Sequence, residues 1–224
     1  MTMRVYLRKA RKLLSLAKPK SEFNAVDATQ TLEFLNHRPM PPNSFKVLFM
    51  GDSLMMHGSS KGLWDNCCGM AASSPEKDFV HRIVQGVQSS MDRPVEALYN
   101  NGGNGTIVQM LAYARRIPLE PDLVILQGGE NDEFNDAFRS TYRALLDFYP
   151  VPYAVIGDLW SEEKSNFSQQ ESMARSYPFV NLRAINQDPS NSGDGGPYAH
   201  AGVAQHPNDK GMACIARNVL EKLR

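Results

Sequence analysis

The sequence predicts an α/β protein in three layers, α/β/α, with a five-stranded parallel sheet between two layers of helices. Three observations carry this. Five short apolar runs recur along the chain, each of strand length and bounded by turn residues. Each is followed by a polar loop and then by a segment with helical spacing or helix-end signals, and strand alternating with helix argues for parallel pairing. The length, 224 residues, suits one domain of ordinary size.

The elements follow in order. Residues 27–38 read as a short helix capped by Asp27 and stopped by Pro39 and the Pro41-Pro42 pair. Residues 46–50 form the first buried strand, closed by Gly51 and a long loop. Residues 75–89 form a helix with Ser74 as N-cap, Pro75 at the first position, and Phe79, Ile83, Val84 and Val87 on one face. Strand 94–99 ends in the loop 100–105, and helix 106–116 follows. Strand 122–127 ends in Gly128-Gly129 and leads to helix 135–149. Strand 152–157, helix 167–176, strand 179–185 and a closing helix over 207–223 complete the series. Residues 1–44 are then an N-terminal arm and linker, and residues 45–224 the domain.

Composition narrows the classes. A hydrophobic fraction of 42% and a charged fraction of 21% are globular values and exclude disordered and fibrous chains. No apolar run approaches the roughly 18 residues of a membrane span. Three cysteines, Cys67, Cys68 and Cys214, make no disulfide framework, and the odd count suits a reducing compartment. Leu13–Ala17 is too short for a secretory core, so a cytoplasmic location is expected. The net charge of zero conceals an asymmetry: residues 1–20 hold seven of the 24 basic residues and no acid, leaving a body of net charge −7. Nucleic-acid binding by that body is not expected. Met3, Tyr6, Leu7, Ala10, Leu13, Leu14 and Ala17 share one helical face in the arm, which suits docking on protein or on an anionic membrane surface, at its periphery, through residues 3–18.

In a parallel sheet, ligands bind beyond the carboxyl ends of the strands. Four segments there carry unusual chemistry: G-D-S-L at 51–54, N-N-G-G-N-G-T at 100–106, G-G-E-N-D at 128–132, and Q-H-P-N-D-K-G at 205–211 before the last helix. Each alone has a plain explanation. A serine after Gly-Asp is commonly a turn or cap residue, Asn131 is a turn former, and a glycine cluster can be a tight turn. The glycines lack both G-x-G-x-x-G spacing and a P-loop lysine, so nucleotide binding is set aside. G-S-S-K-G at 58–62 matches a nucleophile elbow, but Ser60 does not directly follow a strand. Cys67-Cys68 with His57 and His81 lacks the spacing of a zinc site, and no metal or other cofactor is expected.

Together, in this order and on these junctions, the four segments resemble the sequence blocks of the SGNH (GDSL-type) hydrolases, over about residues 46–222. The resemblance implies a flavodoxin-like sheet order. It also implies Ser53 as nucleophile, His206 as general base, and an oxyanion hole from the Ser53 and Gly105 N–H groups and the Asn131 amide. Gly102 or Gly103 replaces Gly105 if the loop is shifted. The residue types suit that chemistry: a serine hydroxyl at a helix start beside N–H donors, and an imidazole held at the rim by Pro207 at the first helical position.

One position departs from the pattern. The family's orienting Asp lies three residues before the histidine, where this chain has Val203. Disabling that acid in other serine hydrolases costs about 10⁴ in kcat. A Ser–His dyad held by backbone carbonyls is expected instead, with Asp194 the best reserve acid ahead of Glu130 and Asp209. The loop 54–74 is long, and its His57 and Trp64 are candidate substrate-binding residues. G-M-A-A-S…K-D-F-V-H at 69–81 is similar to a bacterial subgroup of the family associated with carbohydrate esters. The resemblance therefore implies a serine esterase removing a small acyl group, acetyl foremost, from a carbohydrate. The rivals are an O-acyltransferase to a sugar acceptor, a short-chain lipase or thioesterase, and a weakly active glycan-binding or scaffold protein.

Overall fold

The computed structural model describes residues 32, 35–58, 64, 66–103, 105–194, 196–198 and 200–224. The basic arm and Ser60 lie outside the described residues, as does most of the helix expected over 27–38. Of that helix, Leu32 and Leu35 are helical and buried in the core.

Five strands form one parallel sheet: β1 (Phe45–Met50), β2 (Val95–Asn100), β3 (Leu123–Gln127), β4 (Tyr153–Ile156) and β5 (Phe179–Val180). Their order is β2-β1-β3-β4-β5, the flavodoxin-like order expected. Alternation along β1 divides the core. Val47 and Phe49 face α1 (Phe79–Gln88) and the closing helix α7 (Asp209–Lys222), while Leu48 and Met50 face α2 (Ile107–Arg116), α3 (Asp136–Leu146) and α4 (Glu162–Ala174). Right-handed crossovers require this two-sided arrangement. β2 is an edge strand whose outer groups need partners. Asn36 supplies them, donating to the Tyr99 carbonyl at 2.7 Å and accepting from the Tyr99 N–H at 2.8 Å. No helix among the described residues is long and apolar enough to cross a membrane.

The differences from expectation are local. The segment 75–89 is not one helix: a single 3-10 turn, Pro75–Lys77, precedes α1. Asp78, not Ser74, caps α1, because its carboxylate accepts from the His81 N–H while also holding the Gly69 N–H. β5 stops at Val180, and residues 183–187 form the short helix α5 (Arg183–Gln187) rather than the end of a strand. The Asn181 side chain turns the chain there by accepting from the Arg183 N–H at 2.8 Å. α4 begins at Glu162, capped by Ser161, five residues before the expected start. Its buried face includes Ser165, Ser168 and Ser172, and the last two hydroxyls bond the carbonyls four residues back. A four-residue helix, α6 (Ala201–Ala204), precedes the histidine segment. α7 begins at Asp209 with Asn208 as cap, so Pro207 lies before the helix rather than at its first position.

Candidate active site

Register brings the functional loops level. Met50 lies beside Asn100 on one side and Leu126 on the other, so the loops after β1, β2 and β3 leave the sheet along one edge. Between β1 and β3 the strand order reverses, which opens a crevice. The segment carrying α6 and His206 closes over it. The result is a cavity of about 350 Å³, lined by Ser53, His57, Asn101, Gly105, Asn131 and His206 among others.

Ser53 sits in a single turn after β1, not at the start of a helix. The Met55 and Met56 N–H groups donate to the Asp52 carbonyl, and Met70 N–H holds the Ser53 carbonyl at 2.9 Å. The serine hydroxyl is 2.8 Å from His206 Nε2 across 153 residues of sequence. Hence Ser53 Oγ–H is placed to donate to a neutral imidazole, the arrangement that makes a serine nucleophilic. His206 is 4% exposed, and burial holds its pKa below the ordinary 6.5 even though the Asp52 carboxylate favours its charged form. The neutral imidazole is thereby favoured.

The expected oxyanion residues come together, with one change of role. Asn131 Nδ2 donates to the Gly105 carbonyl at 3.3 Å, so the two loops touch. The Gly105 N–H, however, donates to the Asn101 carbonyl at 2.8 Å within its own turn, and so it is not turned toward an oxyanion. What Gly105 provides is shape. It has φ +73°, and a Cβ there would lie 2.9 Å from both Asn131 Nδ2 and Asp52 Cβ. Ser53 and Asn131 both line the cavity.

No acid orients His206 among the described residues. Nδ1 is buried without a hydrogen-bond partner, although the Gly202 and Val203 carbonyls lie near enough to favour the charged ring. The expected backbone-carbonyl support is thus proximity rather than a formed bond. Asp194 is exposed and lines a second groove rather than the cavity. Glu130 is engaged by the Gln127 amide and the Leu159 N–H. Asp209 holds Ser73 and pairs with Lys77. Val203 is fully buried in the core.

His57 lines the cavity as expected, with Nδ1 bonded to the Gly58 carbonyl and burial keeping the ring neutral. Trp64 does not line it. The indole is 3% exposed, packs on Tyr198, and donates to the His57 carbonyl, so it supports His57 from behind. Burial pushes the Cys67 thiol up to about 11 and Cys68 higher still, which makes both inert, and no metal-holding cluster occurs among the described residues.

Three groups were not legible from the sequence. His200 lines the cavity from the Gly-rich loop. Trp160, after β4, places its ring 5.2 Å from that of His206. Beneath the loops after β1 and β3 lies a polar network: Gln127 Nε2 donates to Asp52 and Glu130, and Lys164 Nζ donates to the Gly129 carbonyl at 2.7 Å. Burial, reinforced by the Asp52 charge, raises the Glu130 pKa well above its ordinary value. The only sequence signal for this network was polar residues at a strand end, where ligand loops also reside.

No family model and no curated protein matches the chain. Three solved structures resemble it. A psychrotrophic esterase, EstA, from Pseudoalteromonas sp. is 15% identical over 80% of this chain and 97% of its own, with a TM-score of 0.54. A two-domain esterase active on acetylated mannans is 20% identical over 80% of this chain and 48% of its own, with a TM-score of 0.58. A Parabacteroides merdae protein described as a GDSL-like lipase is 15% identical over 79% of this chain and 94% of its own, with a TM-score of 0.51. The chain therefore has the three-layer α/β/α fold of the SGNH (GDSL-type) hydrolases, the fold its four sequence blocks led us to expect.

Proposed function

We propose that the protein is a serine ester hydrolase acting on small acyl esters, acetyl esters of carbohydrates foremost. One observation carries the reading: Ser53 Oγ stands 2.8 Å from His206 Nε2 on the wall of the cavity at the switch point. His206 takes the hydroxyl proton as Ser53 Oγ attacks the ester carbonyl. The negative charge that develops on the carbonyl oxygen is met by the Ser53 N–H and the Asn131 amide. The intermediate collapses, the ester C–O bond breaks, and His206 returns its proton to the leaving alcohol. Water, deprotonated by the same imidazole, then attacks the acyl-serine, and the acid leaves with Ser53 restored.

The cavity supports the choice of substrate. About 350 Å³ is at the lower end for ligand sites, and Met56 and Met70 are the largest apolar side chains on its wall. Polar groups such as His57, Asn101 and His200 suit a hydroxylated leaving group rather than a long chain. The activity of the similar two-domain esterase on acetylated mannans agrees with this choice.

The test is hydrolysis of 4-nitrophenyl acetate, butyrate and decanoate, followed by acetyl release from acetylated glycans. Turnover should favour acetate and fall to the level of the uncatalysed reaction plus residual binding in Ser53→Ala. A preference for decanoate would refute the small-acyl reading. Glycan binding without turnover, unchanged in Ser53→Ala, would instead establish a binding protein.

A further inference from the structure

Trp160 occupies an unusual position for a tryptophan. It follows β4, and its backbone is pinned. Asp158 Oδ1 accepts from the Trp160 N–H at 2.8 Å and from the Ser161 N–H at 2.6 Å. Leu159 before it is buried, and its N–H reaches Glu130 Oε1 at 3.4 Å. Asp158 is itself 3% exposed, with Lys164 Nζ at 3.9 Å. Trp160, at the end of this hydrogen-bonded turn, is nevertheless 40% exposed. Its aromatic neighbour is the imidazole of His206, in a T-shaped contact with the rings 5.2 Å apart and inclined by 75°.

That contact meets a specific deficit. The His206 imidazole receives one side-chain hydrogen bond, from Ser53 at Nε2, while the buried Nδ1 has only the nearby Gly202 and Val203 carbonyls, with no well-formed bond to either. A ring held at one corner can rotate, and a base that rotates loses its alignment with the nucleophile. We propose that Trp160 is a positioning residue for His206: its ring, fixed by the Asp158 turn, holds the imidazole plane by packing and shields it from water. The inference rests on the serine-hydrolase reading for its catalytic consequence but not for its physical one. The titratable groups around the ring are Asp52 and His57, with His200 across the cavity and Asp158 in the turn beneath Trp160. None of them is removed by changing Trp160.

The experiment compares wild type with Trp160→Ala, Trp160→Leu and Trp160→Phe. The His206 titration is followed by NMR of histidine-labelled protein, the signal assigned by its loss in His206→Asn. Kinetics with 4-nitrophenyl acetate are measured in parallel. In Trp160→Ala, water replaces the ring, and the His206 midpoint should rise toward the ordinary imidazole value. There kcat should fall about 10²-fold with KM nearly unchanged, as for a misplaced catalytic group. Phe should restore most of both, and Leu should restore shielding more than rate. Because the ring is partly exposed, the variants are expected to fold, and should Ala fail to do so, Leu and Phe carry the comparison. An unmoved midpoint in a folded variant with wild-type kcat overturns the inference, as does a loss confined to KM. Absence of ester turnover in the wild type, with the midpoint still moving in the variant, would refute the hydrolase reading and leave the positioning contact standing.

Discussion

Replacing Gly105 by alanine tests how the second loop serves the site. The residue has φ +73°, a left-handed conformation that costs an alanine about 1–2 kcal/mol. The new methyl would lie 2.9 Å from Asn131 Nδ2, 2.9 Å from Asp52 Cβ and 3.2 Å from Asp52 Cα, so something must shift. Overpacking of this kind costs about 1–3 kcal/mol. The sum, roughly 3 kcal/mol, lowers Tm by about 10 °C in a domain of this size. The displaced groups are the Asn131 amide and Asp52, the residue before Ser53; on the proposed mechanism kcat should fall by about 10²-fold even in fully folded protein. Gly102→Ala is the control. Its methyl would strike the Gln109 and Met110 backbone of α2 at 2.4 and 2.5 Å, away from the cavity lining. That variant should lose at least as much stability yet keep the kcat of wild type per folded molecule. Thermal denaturation and initial rates, taken below each variant's own transition, decide the matter. Wild-type kcat in Gly105→Ala, or an equal loss in both variants, would refute the geometric role assigned to Gly105.

Two further predictions follow from buried histidines. Burial holds the His206 pKa below 6.5, and the base must be neutral to act, so the acid limb of kcat/KM should lie below the ordinary imidazole value. A limb at or above 6.5 would show that His206 is not the base in this environment. At His81, burial opposes charge, but the hydrogen bond from Nδ1 to Asp78 and the charges of Asp78 and Glu76 prevail and raise its pKa. A raised folded pKa means that the His81–Asp78 pair stabilises the fold fully below 6.5 and loses that contribution as pH rises through the folded value. His81→Gln should therefore lower Tm most in acid, with a deficit that shrinks in alkali. A deficit independent of pH would mean the pair contributes no charge-dependent stability.

What was legible in the sequence was whatever local pattern and topology determine. Val47–Met50 reads as a buried strand because an apolar run of that length has few other homes. Strands alternating with helices must run parallel, and parallel strands bring their carboxyl ends together. That is why Ser53, Asn131 and His206 were predicted to converge, and Gly105 with them. Where the pattern is carried by hydrogen bonds rather than by apolar residues, the reading was incomplete. The start of α4 was missed because buried serines bond their own helix, and the end of β5 because a single Asn181 side chain turns the chain.

Tertiary structure alone decided the contacts made over long sequence distances by side chains of ordinary type. Nothing in the neighbourhood of Trp64 or Trp160 says which will be buried and which will lie against His206. The long loop folds Trp64 under Tyr198, while β4 delivers Trp160 to His206. Asp194 is near His206 in sequence, yet the turn at Gly193, whose N–H is bonded to the His206 carbonyl, leaves its carboxylate exposed. The Gly105 N–H is consumed by a bond four residues back that no motif encodes. Sequence thus determined which residues meet, because topology follows from local periodicity. Orientation at the meeting point depends on packing and hydrogen bonds between distant segments, and only the folded chain contains those.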